Sequence, residues 1–322
     1  MDAIYNPRVS VVMCTYNGEK YLREQLDSII NQTYPLFELI IQDDDSKDGT
    51  WQILQEYAAN YSYIKLFRNT PGKGVNGNFF SAMRKASGDY IAISDQDDIW
   101  RKNKIELQIK KIGDNLLCSG HSKPFSTDGA FAYYDSRRPN INILRLIFSG
   151  LAGHTMLFKR ELVSDILPED NELYHVSYYD VALHLAAGAF KSIAYCDDIL
   201  VDFRRHSSAK TYSDYRKSLP SAGNALHIIK WSIVNYKKAR PKAKKYWHAR
   251  LAFLNEIASG DQYYSEAVKM LNLELQEGII AFIKLQLLFI RNRKVLFHTT
   301  GGGLVKTIRA FLYPIMQYYN YR

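Results

Sequence analysis

Four short β-branched runs punctuate the first part of the chain, and their spacing restricts the fold more than any other feature. Arg8–Cys14 (RVSVVMC) ends in the turn Thr15-Tyr16-Asn17-Gly18, and Tyr21–Asn31 then carries Leu22, Leu26, Ile29 and Ile30 at helical spacing. Glu38–Gln42 is a second strand, ending in Asp43-Asp44-Asp45-Ser46, and a helix over Thr50–Tyr61 follows. Ile64–Phe67 is a third strand, Asn78–Ala86 a helix, and Asp89–Ser94 a fourth strand ending in Asp95-Gln96-Asp97-Asp98. Strand, turn and helix in repetition imply βαβ units. The expected fold class is therefore α/β, a Rossmann-like, mostly parallel sheet flanked by helices. Ligands of such sheets bind beyond the carboxyl ends of the strands. Three polar or acidic turns, Thr15–Gly18, Asp43–Ser46 and Asp95–Asp98, converge on that crevice.

Composition limits the remainder. With 322 residues, 47% hydrophobic and 23% charged, the chain is ordinary globular protein, and disorder and collagen-like repeats are excluded. Between Ala130 and Arg205 the pattern is mixed. Ala130–Tyr134, Thr155–Phe158, Ser192–Tyr195 and Leu200–Phe203 read as strands, Glu161–Ile166 and Tyr179–Ala187 as helices. After about Tyr215 the texture changes to long helical patterns rich in Lys, Arg and aromatics, so we divide the chain into a catalytic part, 1–215, and a helical extension, 216–322. Met1–Arg8 lacks the apolar core of a signal peptide, and no stretch of 18 apolar residues exists. Three cysteines, Cys14, Cys118 and Cys196, argue against a disulfide framework and fit a reducing compartment. Cys118 and His121 have no companion CxxC or HxxxH that would make them a metal site.

Several clusters carry chemistry. Asp95-Gln96-Asp97-Asp98 offers hard oxygen ligands that suit one divalent cation, Mg²⁺ or Mn²⁺, with open positions for phosphate oxygens; as a plain acidic turn it would only be solvated. An acidic residue at Asp43 or Asp44 suits a base N–H or a ribose hydroxyl, while Asp48 suits the N-cap of the helix at Thr50. Gly72-Lys-Gly-Val-Asn-Gly77 matches GxGxxG and would serve a nicotinamide oxidoreductase, although it follows the third strand rather than the first. Asp180 stands at the start of an apolar helix, either as its N-cap or as a general base. Arg204-Arg205-His206 at a strand end is either a basic cluster or a grip on phosphate and cation.

Four blocks occur in a specific order: VSVVMCTYNGEKY (Val9–Tyr21), ELIIQDDDSKDGT (Glu38–Thr50), GNFF (Gly77–Phe80) and GDYIAISDQDDIW (Gly88–Trp100). Together they strongly resemble family 2 glycosyltransferases of the GT-A fold, in particular bacterial rhamnosyltransferase-like members. The likeness spans Val9 to His206. It implies inverting transfer of a sugar, L-rhamnose among the candidates, from a dTDP- or UDP-linked donor to a surface polysaccharide or a lipid-linked saccharide. By that likeness Thr15, Tyr16, Asn17 and Glu19 line the nucleotide site, together with Asn78 of the GNFF block. Asp43 or Asp44 reads the base and Asp95 lies near ribose or metal. Asp97 and His206 hold the cation, Arg204 and Arg205 stabilise the departing diphosphate, and Asp180 is the base. Val181 follows Asp180 where the family usually has an aromatic. Gly153–Phe158 (GHTMLF) resembles the acceptor-side strand. Asp45 replaces a glycine that often takes positive φ, which Asp tolerates. The alternatives are the oxidoreductase and a non-catalytic binding relative.

The net charge of +9 is unevenly placed. Residues 216–322 hold 18 Lys and Arg against 5 Asp and Glu, a balance of +13, which leaves −4 for residues 1–215. No nucleic-acid motif accompanies the basic residues. Gly278–Arg293 is mostly apolar up to Ile290, Glu277, Lys284 and Arg291 fall seven apart on one stripe, and Leu304–Tyr319 repeats the theme until Pro314, which should kink or end it. Tyr313, Tyr318, Tyr319 and Tyr321 would suit the headgroup level of a bilayer. The expectation is a cytoplasmic enzyme held on the anionic inner face of the cell membrane. The other use of the apolar face is packing on the catalytic part or on a second subunit.

Overall fold

The computed structural model describes residues 6–70, 74–129, 133–167, 171–207, 209, 221–257, 261–297 and 303–322. The strands are β1 (Val9–Thr15), β2 (Glu38–Asp43), β3 (Ile64–Arg68), β4 (Tyr90–Ser94), β5 (Ile99–Trp100), β6 (Leu117–Ser126), β7 (Leu157–Lys159) and β8 (Ile193–Arg205). They form one sheet in the order β3-β2-β1-β4-β7-β6-β8-β5. The β3-β2-β1-β4 half is parallel. Short β7 runs antiparallel between β4 and β6, β8 lies parallel to β6, and β5 is antiparallel on β8. Every residue of β1 and β2 is buried, which is why both read as near-continuous apolar runs. Alternate side chains of β1 feed opposite layers: Val12 and Cys14 on one face, Val9, Val11 and Met13 on the other.

The helices are α1 (Glu19–Ile30), α2 (Thr50–Asn60), α3 (Val75–Met83), α4 (Lys104–Ile112), α5 (Ile143–Leu146), α6 (Glu172–Val176), α7 (Tyr179–Ala189), α8 (Ala222–Val234), α9 (Tyr236–Ile257), α10 (Gln262–Leu275), α11 (Ile279–Arg291), α12 (Arg293–Leu296) and α13 (Gly303–Met316). Residues of α1, α2 and α4 pack on one face of the sheet; those of α3, α5, α6 and α7 pack on the other.

The extension continues this second layer. Trp247 of α9 is fully buried in the same apolar cluster as Leu144 of α5 and Tyr174 of α6; truncating such a Trp to Ala typically costs about 3–5 kcal/mol. Asn140 donates to the Val295 carbonyl (2.8 Å), Arg145 to the Leu296 carbonyl (2.7 Å), and Lys191 pairs with Asp261 (2.5 Å). The division at 215/216 itself falls outside the described residues. Among the described residues no helix is long and apolar enough to cross a membrane.

Several elements differ from the sequence expectation. Ser192–Tyr195 and Leu200–Phe203 are parts of one strand, β8, whose pairing with β6 shifts register around His121. Tyr133 and Tyr134 lie outside any strand, and 130–132 fall outside the described residues; the strand of this region is β6. Within Gly153–Phe158, residues Gly153–Thr155 form a 3-10 turn before β7, and Leu162–Ile166 is π-helical. Cys118 and His121 do not face one ion: the Cys118 thiol lies 3.6 Å from Cys196, and His121 Nδ1 is 3.3 Å from the Tyr195 hydroxyl. Helix α13 runs through Pro314 to Met316. The Glu277–Lys284–Arg291 stripe is broken up, because Glu277 precedes α11 and pairs with Lys244 (2.8 Å) while Arg291 faces Glu266 (3.4 Å). The four tyrosines are packing groups. Tyr313 lies against Phe289 and Phe297, Tyr318 against Trp247, Tyr319 against Trp231 and Tyr321 against Tyr246.

Candidate active site

The carboxyl ends of β1, β2 and β4 bring the three predicted turns together. The first two are locked by their own side chains. Asp43 is fully buried, and its carboxylate accepts from the Thr15 hydroxyl (2.9 Å), the Ser46 N–H (2.9 Å) and hydroxyl (2.5 Å), and Arg68 (2.6 Å). Arg68 lies flat on Trp51, 3.7 Å from the ring centroid. Asp44 accepts from Asn69 (2.7 Å) and from the Gly74 N–H (2.8 Å). Asp45 takes φ +65° and Asn17 φ +48°, so the turn places an Asp where the sequence called for a left-handed residue. Asn17 donates its N–H to Ser46 (2.9 Å) and accepts from the Lys47 N–H (2.8 Å). Asp48 accepts from the Thr50 N–H (3.0 Å), but the N-cap of α2 is Gly49, so Asp48 supports the helix start from one residue before the cap.

The third turn braces the first. Gln96 accepts from the Tyr16 N–H (2.8 Å) and donates to its carbonyl (3.0 Å). A Cβ on Gly18 would come within 2.3 Å of Gln96 Oε1, so a larger residue there would have to displace the Gln96 amide from Tyr16. The Tyr16 ring stands free, 55% exposed at the mouth.

Asp97 and His206 lie side by side. Asp97 Oδ2 is 3.0 Å from His206 Nε2, and the imidazole is held against the Tyr21 ring at 4.9 Å. A carboxylate oxygen and an imidazole nitrogen at this separation fit two neighbouring positions of one divalent cation's coordination sphere.

Asp98 is different: it is fully buried, accepts from the Arg204 N–H (2.9 Å), and its other oxygen has no hydrogen-bond partner. Buried His154 fills the space behind it, with Nδ1 3.6 Å from Asp95 and 3.8 Å from Asp98 and its ring stacked on Phe203 at 4.7 Å. Asp95, Asp98 and His154 thus form a second compact acidic-imidazole cluster. Burial raises the Asp98 pKa. Burial pulls His154 down, but Asp98 and Asp95 more than offset it and the net shift is upward. The sequence reading missed His154; its only signal was a lone His in GHTMLF.

Asp180 is the second residue of α7, so the capping role weighed for it is not the one it plays. Its carboxylate accepts from the neighbouring Val181 N–H (2.8 Å), and its pKa is raised to about 6 by desolvation, with the Asp95 charge adding to the shift. Asn76 sets its position: the amide donates to the Ser177 carbonyl (2.6 Å) and accepts from the Tyr179 N–H (3.1 Å). Tyr179 is stacked on Phe79 at 4.1 Å and lies so close to Gly153 that a Cβ there would fall 2.4 Å from its hydroxyl.

Four of the residues expected at the donor make contacts within the fold. Glu19 accepts from the Gly49 N–H (2.8 Å) and ties α1 to the turn before α2. Asn78 is buried and donates to the Gln42 carbonyl (3.1 Å). Arg204 is buried between the rings of Tyr21 and Phe125 at 4.4 and 4.7 Å and spends its guanidinium on Glu24 (2.7 Å) and the Asp97 carbonyl (2.8 Å). Arg205 is buried with its guanidinium 5.2 Å from Phe203. Arg204 thus braces β8 against α1 and the Asp97 turn, and Arg205 is buried beside it. The dinucleotide reading also fails. Gly72 lies outside the described residues, β3 is the sheet's outer strand, and the Gly74 N–H that a pyrophosphate would need meets the Asp44 carboxylate.

Residues 10–167 match the family model described as Glycosyl transferase family 2. EpsE of Bacillus subtilis, named as a glycosyltransferase, is 43% identical over 104 residues, covering 32% of this chain and 37% of that protein. WfgD of Escherichia coli, a UDP-Glc:alpha-D-GlcNAc-diphosphoundecaprenol beta-1,3-glucosyltransferase, is 41% identical over 109 residues, 34% of this chain and 42% of that one. The chain thus aligns with less than half the length of these two relatives. Among solved structures, Staphylococcus aureus TarS 1–349 in complex with UDP-GlcNAc superposes with a TM-score of 0.53 at 18% identity, over 97% of this chain and 92% of that one. At that identity the likeness concerns the fold, and it extends over the C-terminal helices.

Proposed function

Because residues 10–167 form a glycosyl transferase family 2 domain, we propose that this chain is an inverting glycosyltransferase using a nucleotide-diphosphate sugar. The observation that carries the proposal is the pairing of Asp97 with His206 at the strand ends, with Asp180 across the same crevice at a pKa of about 6. Asp180 takes the proton from an acceptor hydroxyl. That oxygen attacks the anomeric carbon from the face opposite the diphosphate, the bond to the diphosphate oxygen breaks, and the centre inverts. Asp97 and His206 are the residues that would hold a divalent cation, Mg²⁺ or Mn²⁺, which when bound supplies positive charge for the diphosphate. Asp95 and the Tyr16 ring face the nucleoside side of the crevice. The base of the nucleotide lies by Asp43 or Asp44 in this reading, at the carboxyl end of β2.

The acceptor is a saccharide or a lipid-linked saccharide, in line with the diphosphoundecaprenol acceptor of WfgD. UDP- and dTDP-sugars, rhamnose included, are the donors to try. Residues 216–322 serve as a helical layer integrated with the catalytic part through their shared apolar core, with one face toward the inner surface of the cell membrane.

The decisive measurement is donor hydrolysis and binding across UDP-, dTDP- and GDP-sugars, with and without Mn²⁺. We expect at least one pyrimidine nucleotide sugar to be bound and slowly hydrolysed only with the cation, and Asp97→Ala to abolish both. Failure of every sugar nucleotide to bind would overturn the proposal.

A further inference from the structure

Between the catalytic part and the helical layer lies a cavity of about 330 Å³ that plays no part in the chemistry above. It is bounded by α5, α8, α13 and the closing turn Gln317–Tyr321. Three arginines line it, Arg145, Arg309 and Arg322, together with Tyr313, and no Asp or Glu does. Arg145 is half-buried and bonded only to neutral acceptors, the Leu296 carbonyl (2.7 Å) and the Ser149 hydroxyl (3.3 Å). Arg309 rests on the Phe297 ring at 5.1 Å. Arg322 donates to the Tyr319 carbonyl (3.1 Å). None of the three has a carboxylate within ion-pair distance among the described residues. The nearby Asp135 is engaged by Arg137 (2.5 Å). Burial lowers the Arg145 pKa, and the neighbouring Arg309 and Arg137 charges also pull it down, against opposing effects of Tyr313 and Asp135 that are smaller than that of burial.

Guanidinium groups gathered at a partly desolvated cavity repel one another unless an anion neutralises them. Planar, multidentate donors of this kind suit phosphate oxygens best. We infer that this cavity is a phosphate-binding site, separate from the donor site, for a phosphate or diphosphate group that Arg145 and Arg309 grip from two sides.

The surroundings bear on the source of that group. Arg309, Tyr313 and Met316 of α13 face the cavity, while Leu304 (74% exposed), Ile308 and Phe311 of the same helix face solvent. A phosphate carried on an apolar chain would thus find its headgroup site beside an apolar surface. Free phosphate or pyrophosphate would use the same arginines without that surface.

The test uses the full chain in chelator, so that the donor site has no cation. Inorganic pyrophosphate should bind saturably by calorimetry, and Arg309→Gln should weaken it roughly tenfold, the usual loss of one charge-assisted contact. Arg309→Lys should recover part of that loss. Asp97→Ala should leave pyrophosphate binding intact, and Arg309→Gln should leave Mn²⁺-dependent nucleoside diphosphate binding intact, so the cavity and the donor site fail independently. Because Arg309 is exposed, its replacement leaves the fold in place; Arg145→Gln is the second variant, checked by its thermal midpoint. In a parallel arm, vesicles of phosphatidic acid in phosphatidylcholine are compared with phosphatidylcholine alone. Binding that needs Arg309 assigns the lipid headgroup; pyrophosphate binding without it assigns the free anion. If pyrophosphate does not bind, or binds equally to Arg309→Gln and Arg145→Gln, the inference is wrong.

Discussion

Asp180 is a carboxylate whose folded environment opposes its charge, and both its chemistry and its cost follow from that. With a pKa of about 6 it is deprotonated, and able to act as a base, only above that pH. Single-turnover transfer should therefore rise about tenfold per pH unit below 6 and level off above it. Asp180→Asn should abolish transfer while leaving donor binding unchanged. The same shift has a stability consequence. A carboxyl whose pKa is raised from 3.8 on folding holds its proton more tightly in the folded state. Stability is then fully kept below pH 4 and is lost as pH rises from 4 to 6. Asp180→Asn should be more stable than the wild type at pH 8, by on the order of 1–2 kcal/mol, and equal to it at pH 4. A variant that is inactive and also less stable at pH 8 would indicate a structural role instead. At this scale the sequence was legible where a residue's type has one use. A carboxylate and an imidazole at two strand ends can share a cation, and Asp97 and His206 do meet. It was opaque where one type serves two uses. Glu19 and Asn78 lie inside the matching blocks and Arg204 and Arg205 at the end of β8, yet they contact turns, strands and rings, because buried backbone groups and guanidiniums must be satisfied wherever the chain folds over them.

The elements differ in how openly the sequence declares them. β1, β2 and β4 are mostly buried, largely apolar runs bounded by turn residues, which is the pattern a sequence displays most openly. β6 (LCSGHSKPFS) contains Gly, Ser, Lys and Pro, and is a strand only because β8 pairs with it along its whole length. Tertiary pairing overrides local preference there. Gly120 shows the fit: a Cβ would fall 2.5 Å from Leu200 Cδ1. The GxGxxG run is informative in another way. Its Asn76, on α3, is what orients the first turn of α7 through Ser177 and Tyr179. Asn76→Ala removes both bonds at the element that carries Asp180. We expect kcat to fall roughly 10- to 100-fold while the donor dissociation constant changes less than twofold, since a displaced base costs orientation rather than binding. Asn76→Asp can still accept from the Tyr179 N–H but cannot donate to the Ser177 carbonyl, so it should recover only part of the rate. Equal losses in kcat and in donor affinity would show that α3 shapes the nucleotide site instead.

For the molecule as a whole, the uneven charge and the exposed apolar residues occur in the same layer. The helical extension carries the +13 balance, and its outer helices expose Ile279, Ile280, Ile283 and Leu287 on α11, Leu304, Val305, Ile308 and Phe311 on α13, and Leu226, Ile233 and Val234 on α8. Exposed Lys230, Lys237, Lys238 and Lys284 lie on or beside the same helices. Isolated exposed apolar residues need no explanation, but a row on packed neighbouring helices does. The tyrosines expected at the headgroup level are not part of this face. They pack inward, and aliphatic side chains take the outer positions, which a helical period alone could not decide because both faces of α13 are apolar. A basic, apolar layer of this kind suits an anionic bilayer surface, where each nearby Lys or Arg contributes about 1 kcal/mol at low salt and the apolar groups resist salt. The full chain should sediment with phosphatidylglycerol vesicles and much less with phosphatidylcholine, and raising salt from 50 to 500 mM should weaken but not abolish the binding. Leu304→Glu combined with Ile280→Glu should reduce vesicle affinity at least tenfold at either salt concentration and leave hydrolysis of a soluble donor unchanged. If the wild type instead sediments as a dimer in solution and the double variant as a monomer, with no vesicle binding by either, then the face is covered by a second copy and the charge of the extension serves some other ligand.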